Sequence, residues 1–134
     1  MDMEIRMGEG TRVDALLGDL VVHTDQPLEA GGGGTAAAPF VLFLASIGTC
    51  AGFYVQQFCR ARGIPTDGIR IVQRMERDPA TRLLGRIDVE IQLPEGFPER
   101  YRAAVLNAAN VCAVKKHLEH PPVVRTLLTG PTGG

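Results

Sequence analysis

Tryptophan is absent from the 134-residue chain, and aromatic residues together make up only 5%. That leaves too few flat side chains for a base-stacking platform. Neither sign of charge is in excess: 14 Lys and Arg against 15 Asp and Glu give a net charge of −1. Such a chain has no overall field to draw in nucleic acid or an anionic membrane. Cysteine is scarce and odd in number, three in all, which excludes a fully paired intramolecular disulfide framework. No CxxC occurs, so a thioredoxin-type motif is missing as well. The opening Met1-Asp2-Met3-Glu4-Ile5-Arg6 mixes charges and has no apolar h-region, unlike a secretory signal. The cytoplasm is the default location.

Long uncharged runs are also lacking, with one exception. No charged residue falls between Glu29 and Arg60, and Pro39 to Cys59 is largely apolar. A membrane span needs about 20 such residues. Here Ser46, Gly48, Thr49, Gly52, Gln56 and Gln57 interrupt the run, and its flanks read as sheet and helix that need it as their core. The reading is a buried central helix and no membrane.

What is present is an ordinary globular composition, 45% apolar and 22% charged. The length suits a single domain over residues 1–134. Residues 1–28 read as a β-meander, with short alternating runs separated by Gly8-Glu9-Gly10 and Gly18-Asp19. Gly31 to Gly34 lacks the Lys-Ser/Thr of a phosphate-binding loop and reads as a flexible loop. Residues 39–63 form the central helix, opened by Pro39 and ended by Gly63 and Pro65. Being apolar nearly all round, it is expected to be buried on most sides. Residues 68–93 read as a hairpin. Ile69, Ile71 and Met75 share one face of its first strand, with Gln73 the polar exception. Ile87, Val89, Ile91 and Leu93 face inward on its second. Residues 98–119 form a second helical segment, interrupted near Cys112, and residues 122–128 a final strand. This order is α+β, with an antiparallel sheet, and is not alternating βαβ.

Cys50, Cys59 and Cys112 carry the distinctive chemistry. Nine residues at about 100° each put Cys50 and Cys59 on opposite helix faces, so they do not pair within one helix. Cys50 shares its face with Phe43, Ser46, Ile47, Phe53, Tyr54 and Gln57, and Cys59 reads as structural. Cys50 lies near mid-helix, out of reach of the helix dipole, and burial raises a thiol's pKa; a reactive Cys50 therefore calls for a cation from elsewhere. Cys112 opens a short helix and precedes Lys115 and Lys116, which favours its thiolate. These arguments do not rank one cysteine above the other. A zinc site needs about four ligands, and Cys112, His117 and His120 make at most three, so no metal is expected. A cysteine hydrolase needs a base beside its nucleophile. His23, His117 and His120 read better as capping or exposed residues.

The segment Pro39-Phe40-Val41-Leu42-Phe43-Leu44-Ala45-Ser46-Ile47-Gly48-Thr49-Cys50 resembles the first cysteine motif of the OsmC/Ohr family. Asn110-Val111-Cys112-Ala113-Val114-Lys115-Lys116-His117-Leu118 resembles its second, 62 residues on. The resemblance implies an OsmC-like fold with a six-stranded sheet and two long central helices, intertwined as a homodimer. It also implies a thiol-dependent peroxidase that reduces organic hydroperoxides without a cofactor. In that reading Cys50 is the peroxidatic cysteine, Cys112 resolves it, and Arg12 from the N-terminal strands is the activating cation. Phe40, Phe43, Ile47 and Tyr54 are the candidate substrate contacts, and a dithiol such as a lipoylated protein is the reductant. The sequence departs from the family where the peroxidase branches carry a Glu after the motif's Pro: Phe40 and Val41 stand there. It departs again after the second cysteine, where Ala113 and Lys115-Lys116 replace Pro and Ser-Lys. The first departure motivates an alternative, a non-catalytic small-ligand binder or redox sensor on the same fold.

Overall fold

The computed structural model describes residues 1–131. They fall into two compact units. One comprises Met1–Thr49 and Val72–Val89; the other comprises Cys50–Ile71 and the chain from Glu90 onward.

The first unit holds β1 (Glu4–Met7), β2 (Val13–Leu17) and β3 (Leu20–Thr24), an antiparallel sheet in the order β1-β2-β3. Leu17 pairs with Leu20 across a two-residue turn. Gly18 opens that turn at φ 57°, a conformation that L side chains rarely adopt. Asp14 lies opposite His23, and their side chains meet at 3.0 Å. The meander thus forms as expected.

At its end Asp25 is 1% exposed. Four donors hold its carboxylate: the hydroxyls of Thr11 and Thr35, the Thr35 N–H at 3.0 Å and its neighbour Gln26's N–H at 2.7 Å. The glycine run folds around this carboxylate and is a tied loop, not the flexible one expected. Gly32 N–H donates to Pro27 O at 2.9 Å, and Gly34 N–H to Gln26 O at 2.9 Å. A Cβ on Gly32 would lie 2.1 Å from Gln26 O, so only glycine lets the strands of this loop approach so closely.

Helix α1 (Pro39–Ala61) runs 23 residues. Its end is a Schellman turn: Gly63 has φ 64°, its N–H bonds Arg60 O at 3.2 Å, and Ile64 N–H bonds Cys59 O at 2.9 Å. The expectation that α1 is buried on most sides does not hold. Its buried residues Ile47, Ala51, Val55 and Cys59 recur every fourth position and form one stripe. Phe40, Val41, Phe43 and Phe53 remain 40–52% exposed. By length and composition α1 is long and apolar enough to cross a membrane.

β4 (Arg70–Arg77) and β5 (Leu84–Gln92) form a two-stranded sheet. In β5, Ile87, Val89 and Ile91 are half-buried while Arg86, Asp88 and Glu90 are exposed, the expected period of two. Met75 is exposed, and Gln73 is the informative residue of β4. Its Nε2 donates to Leu44 O at 2.9 Å. A Cβ at Gly48 would stand 2.6 Å from its Oε1, so the glycine makes room for the amide against the helix.

The second unit adds a 3-10 turn (Glu99–Tyr101), α2 (Arg102–Ala109) and α3 (Ala113–Glu119). Phe58 and Tyr101 meet edge to face at 5.8 Å, with the Arg62 guanidinium 3.7 Å from the Phe58 ring. The buried residues are Ala51, Val55, Cys59, Phe97, Val105, Ala109 and Cys112. Only α1 is long, where two long central helices were expected; the extended backbone of Cys112 (φ −47°, ψ 127°) separates α2 from α3. Among the described residues there are five strands rather than six. Residues 122–128, expected as a final strand, form none, and Val123, Val124, Leu127 and Leu128 are 70–99% exposed. Among the described residues, 122–128 pairs with none of the five strands.

The four hydrogen bonds to the Asp25 carboxylate hold its folded-state pKa well below that of an unfolded Asp. Their stabilisation is therefore complete above the unfolded value of about 4 and is lost as pH falls below it. Thermal unfolding followed from pH 7 to pH 3 should show the melting temperature falling. Asp25→Asn, which places an N–H₂ where donors converge, should lower it by several degrees at pH 7 and flatten the acid slope.

Candidate active site

Cys50 is half-buried on α1, and Cys112 is 1% exposed at the N-cap of α3. Both belong to the second unit. Each thiol shifts the ionisation of the other. The sequence reading left the thiols unranked, and the structure separates them. Burial opposes ionisation of Cys50, but the Cys112 thiol and the backbone N–H groups of Val114 and Ala113 outweigh it and hold Cys50 below the ordinary thiol value. Burial pushes Cys112 up, and so does its role as donor to Cys50; the N–H groups of Lys115 and Val114 pull against this without winning. Cys50 is the more acidic thiol of the pair.

The sequence calls for a cation beside Cys50; backbone N–H groups at the start of α3 also lower its thiol pKa. The prospect of an acidic Cys112 fails because desolvation exceeds what a helix start and nearby lysines provide. Its sulfur does cap α3, accepting the Lys115 N–H at 3.4 Å. Cys59 is fully buried, and burial raises its thiol pKa despite Arg62. It is a core residue.

The other residues singled out in the sequence are placed as follows. Arg12 is exposed in the β1–β2 turn, where Gly8 N–H bonds Arg12 O at 2.8 Å. Phe40 and Phe43 stack at 5.6 Å between ring centres on the first turns of α1, which carry no acidic residue. Ile47 is buried in the core stripe. These four belong to the first unit. Tyr54, half-buried and edge-on to Phe53 at 5.2 Å, belongs to the second with the two cysteines. The sequence reading missed the α3 backbone donors. A cysteine in the N-cap position before a helix was the available signal, because N-caps leave first-turn N–H groups without intrahelical partners.

The family model for OsmC-like protein matches residues 31–126, a span that contains both cysteines. The chain belongs to the OsmC-like family. Solved structures agree in fold. An OsmC-like protein of Mycoplasma pneumoniae superposes with a TM-score of 0.67 at 13% identity, covering 90% of this chain and 87% of its own. A Psychrobacter arcticus protein assigned to osmotic stress and detoxification responses gives 0.65 at 21%, covering 85% of each. The organic hydroperoxide resistance protein OhrB of Bacillus subtilis gives 0.52 at 20%, covering 90% of each. No curated protein matches the sequence significantly. The α+β architecture with its small antiparallel sheets is thus an OsmC-like fold.

In this OsmC-like chain the Cys112 thiol is both neighbour and donor, and two substitutions separate those roles. Cys112→Ser keeps a hydroxyl donor beside Cys50, whereas Cys112→Ala removes it. The pH dependence of Cys50 alkylation should move to higher pH in the alanine variant. The serine variant should stay close to wild type, and at pH 7 the alanine variant should react several-fold more slowly.

Proposed function

We propose that the chain is a thiol peroxidase that reduces organic hydroperoxides. The observation that carries this reading is a pair of cysteines that shift each other's ionisation, Cys50 downward and Cys112 upward. The Cys50 thiolate attacks the distal oxygen of the hydroperoxide. The O–O bond breaks, the alcohol leaves with a proton, and Cys50 becomes a sulfenic acid. The Cys112 sulfur then attacks Cys50, water leaves, and a Cys50–Cys112 disulfide forms. A dithiol reductant, with a lipoylated protein as the candidate, restores both thiols through a mixed disulfide. In this reading Arg12 supplies the guanidinium that assists the thiolate, and Phe40, Phe43, Ile47 and Tyr54 provide apolar surroundings for the substrate. The protein works in the cytoplasm as a homodimer, whose second copy covers the exposed face of α1.

A second reading is favoured by one observation: α1 has no acidic residue in its first turn. Without the family's carboxylate there, the fold serves as a ligand binder or redox sensor that forms the disulfide slowly and does not turn over.

Consumption of cumene hydroperoxide in the presence of a dithiol separates the two. The peroxidase reading expects catalytic turnover, a Cys50–Cys112 disulfide by peptide mass spectrometry, and loss of turnover in Cys50→Ser. Cys112→Ser should react once and hold a sulfenic acid that dimedone traps. A wild-type protein that consumes no hydroperoxide sinks the peroxidase reading.

A further inference from the structure

The turn that carries Cys112 is closed by a side-chain bond that the proposed chemistry does not use. Lys115 Nζ donates to Asn110 Oδ1 at 2.5 Å, bridging from the end of α2 to the first turn of α3. Cys112 lies between the two residues. Lys115 is tied to the turn a second time, through its backbone N–H to Cys112 Sγ at 3.4 Å. Lys116 N–H bonds Cys112 O at 3.1 Å. Asn110 is in turn anchored to α2, its own N–H shared between Leu106 O at 3.3 Å and Asn107 O at 3.2 Å. The side-chain bond therefore spans the break at Cys112, where the backbone is extended between α2 and α3.

We propose that Asn110 and Lys115 are positioning residues: their bond clasps the α2–α3 turn and keeps Cys112 and the first N–H groups of α3 against Cys50. The inference rests on the reading of Cys50 and Cys112 as a working pair. Hydrogen bonds to sulfur weaken quickly with distance, so a turn that swings by an ångström loses several at once. Neither residue touches a reacting atom; both act through Cys112. Both side chains are exposed, and an exposed bond gives up much of its gain to side-chain entropy. The effect expected from breaking it is correspondingly small.

The test is the pH profile of Cys50 alkylation by iodoacetamide in wild type, Asn110→Ala, Lys115→Met, the double variant and Asn110→Asp. Each of the first two should slow Cys50 labelling about threefold near pH 7, the scale of an exposed charged pair, and move its profile to higher pH. The double variant should be no slower than either single, because one bond is lost in all three. Asn110→Asp keeps an acceptor in place and should label like wild type. Unchanged profiles in both singles overturn the proposal. So does a double variant whose slowing is the product of the singles, or an Asn110→Asp as slow as Asn110→Ala. Labelling uses no hydroperoxide, so a wild type without peroxidase turnover would end the proposed function and leave the clasp to be decided by these profiles.

Discussion

The burial of the Cys112 thiol constrains the rest of the site. At 1% exposure the Cys112 thiol is desolvated, and Cys50 beside it raises its pKa further. The same break in the helix that places Cys112 inside leaves the N–H groups of Ala113 and Val114 without partners in their own turn, and they lower the Cys50 thiol pKa. One local event, the extended backbone at residue 112, thus creates both the donor that Cys50 needs and the desolvation that keeps Cys112 neutral. The two thiols are driven apart in acidity by the same contact.

That separation suits a two-step redox sequence. The first step needs a thiolate, and the second needs a thiol that has not already been consumed. In the proposed reaction, a Cys50 that carries an oxygen would leave the sulfur of Cys112 as the nucleophile that resolves it. Backbone N–H groups at a helix start are fixed by the fold, so the lowering of the Cys50 thiol pKa does not depend on a carboxylate after Pro39.

Much of this was legible from residue types. The bounds of α1 followed from Pro39 and Gly63, the strands of the meander from alternation around Gly18-Asp19, and the helix break from the polar Asn110 and the cysteine beyond it. The ranking of the thiols was not legible, because helix-start and lysine effects act along the chain while desolvation depends on what packs around Cys112. Asp25 was equally hidden. Nothing local distinguishes it from the turn residues beside it, and its role depends on Thr11 and Thr35 arriving from 14 and 10 residues away. The glycine run was misread as flexible for the same reason: the need for Gly32 arises from Gln26 O, which sequence spacing does not place. Gln73 was noticed as a polar residue on an apolar face, but its explanation required the carbonyl of Leu44 and the gap at Gly48.

Two features remain unsatisfied within one chain, and they ask for the same remedy. Helix α1 exposes Phe40, Val41, Phe43 and Phe53, and the C-terminal segment exposes Val123, Val124, Leu127 and Leu128. Exposed apolar surface of this kind marks an interaction site. The C-terminal residues have strand-forming side chains but pair with no described strand. In the proposed homodimer a second copy supplies apolar cover for the helix and a strand edge for the tail. Ordering of residues 122–128 and association of the chains then become one linked equilibrium, so the apparent stability of this segment rises with protein concentration. A chain that stayed monomeric would have to leave both faces in water, at a hydrophobic cost that its modest core is poorly placed to offset.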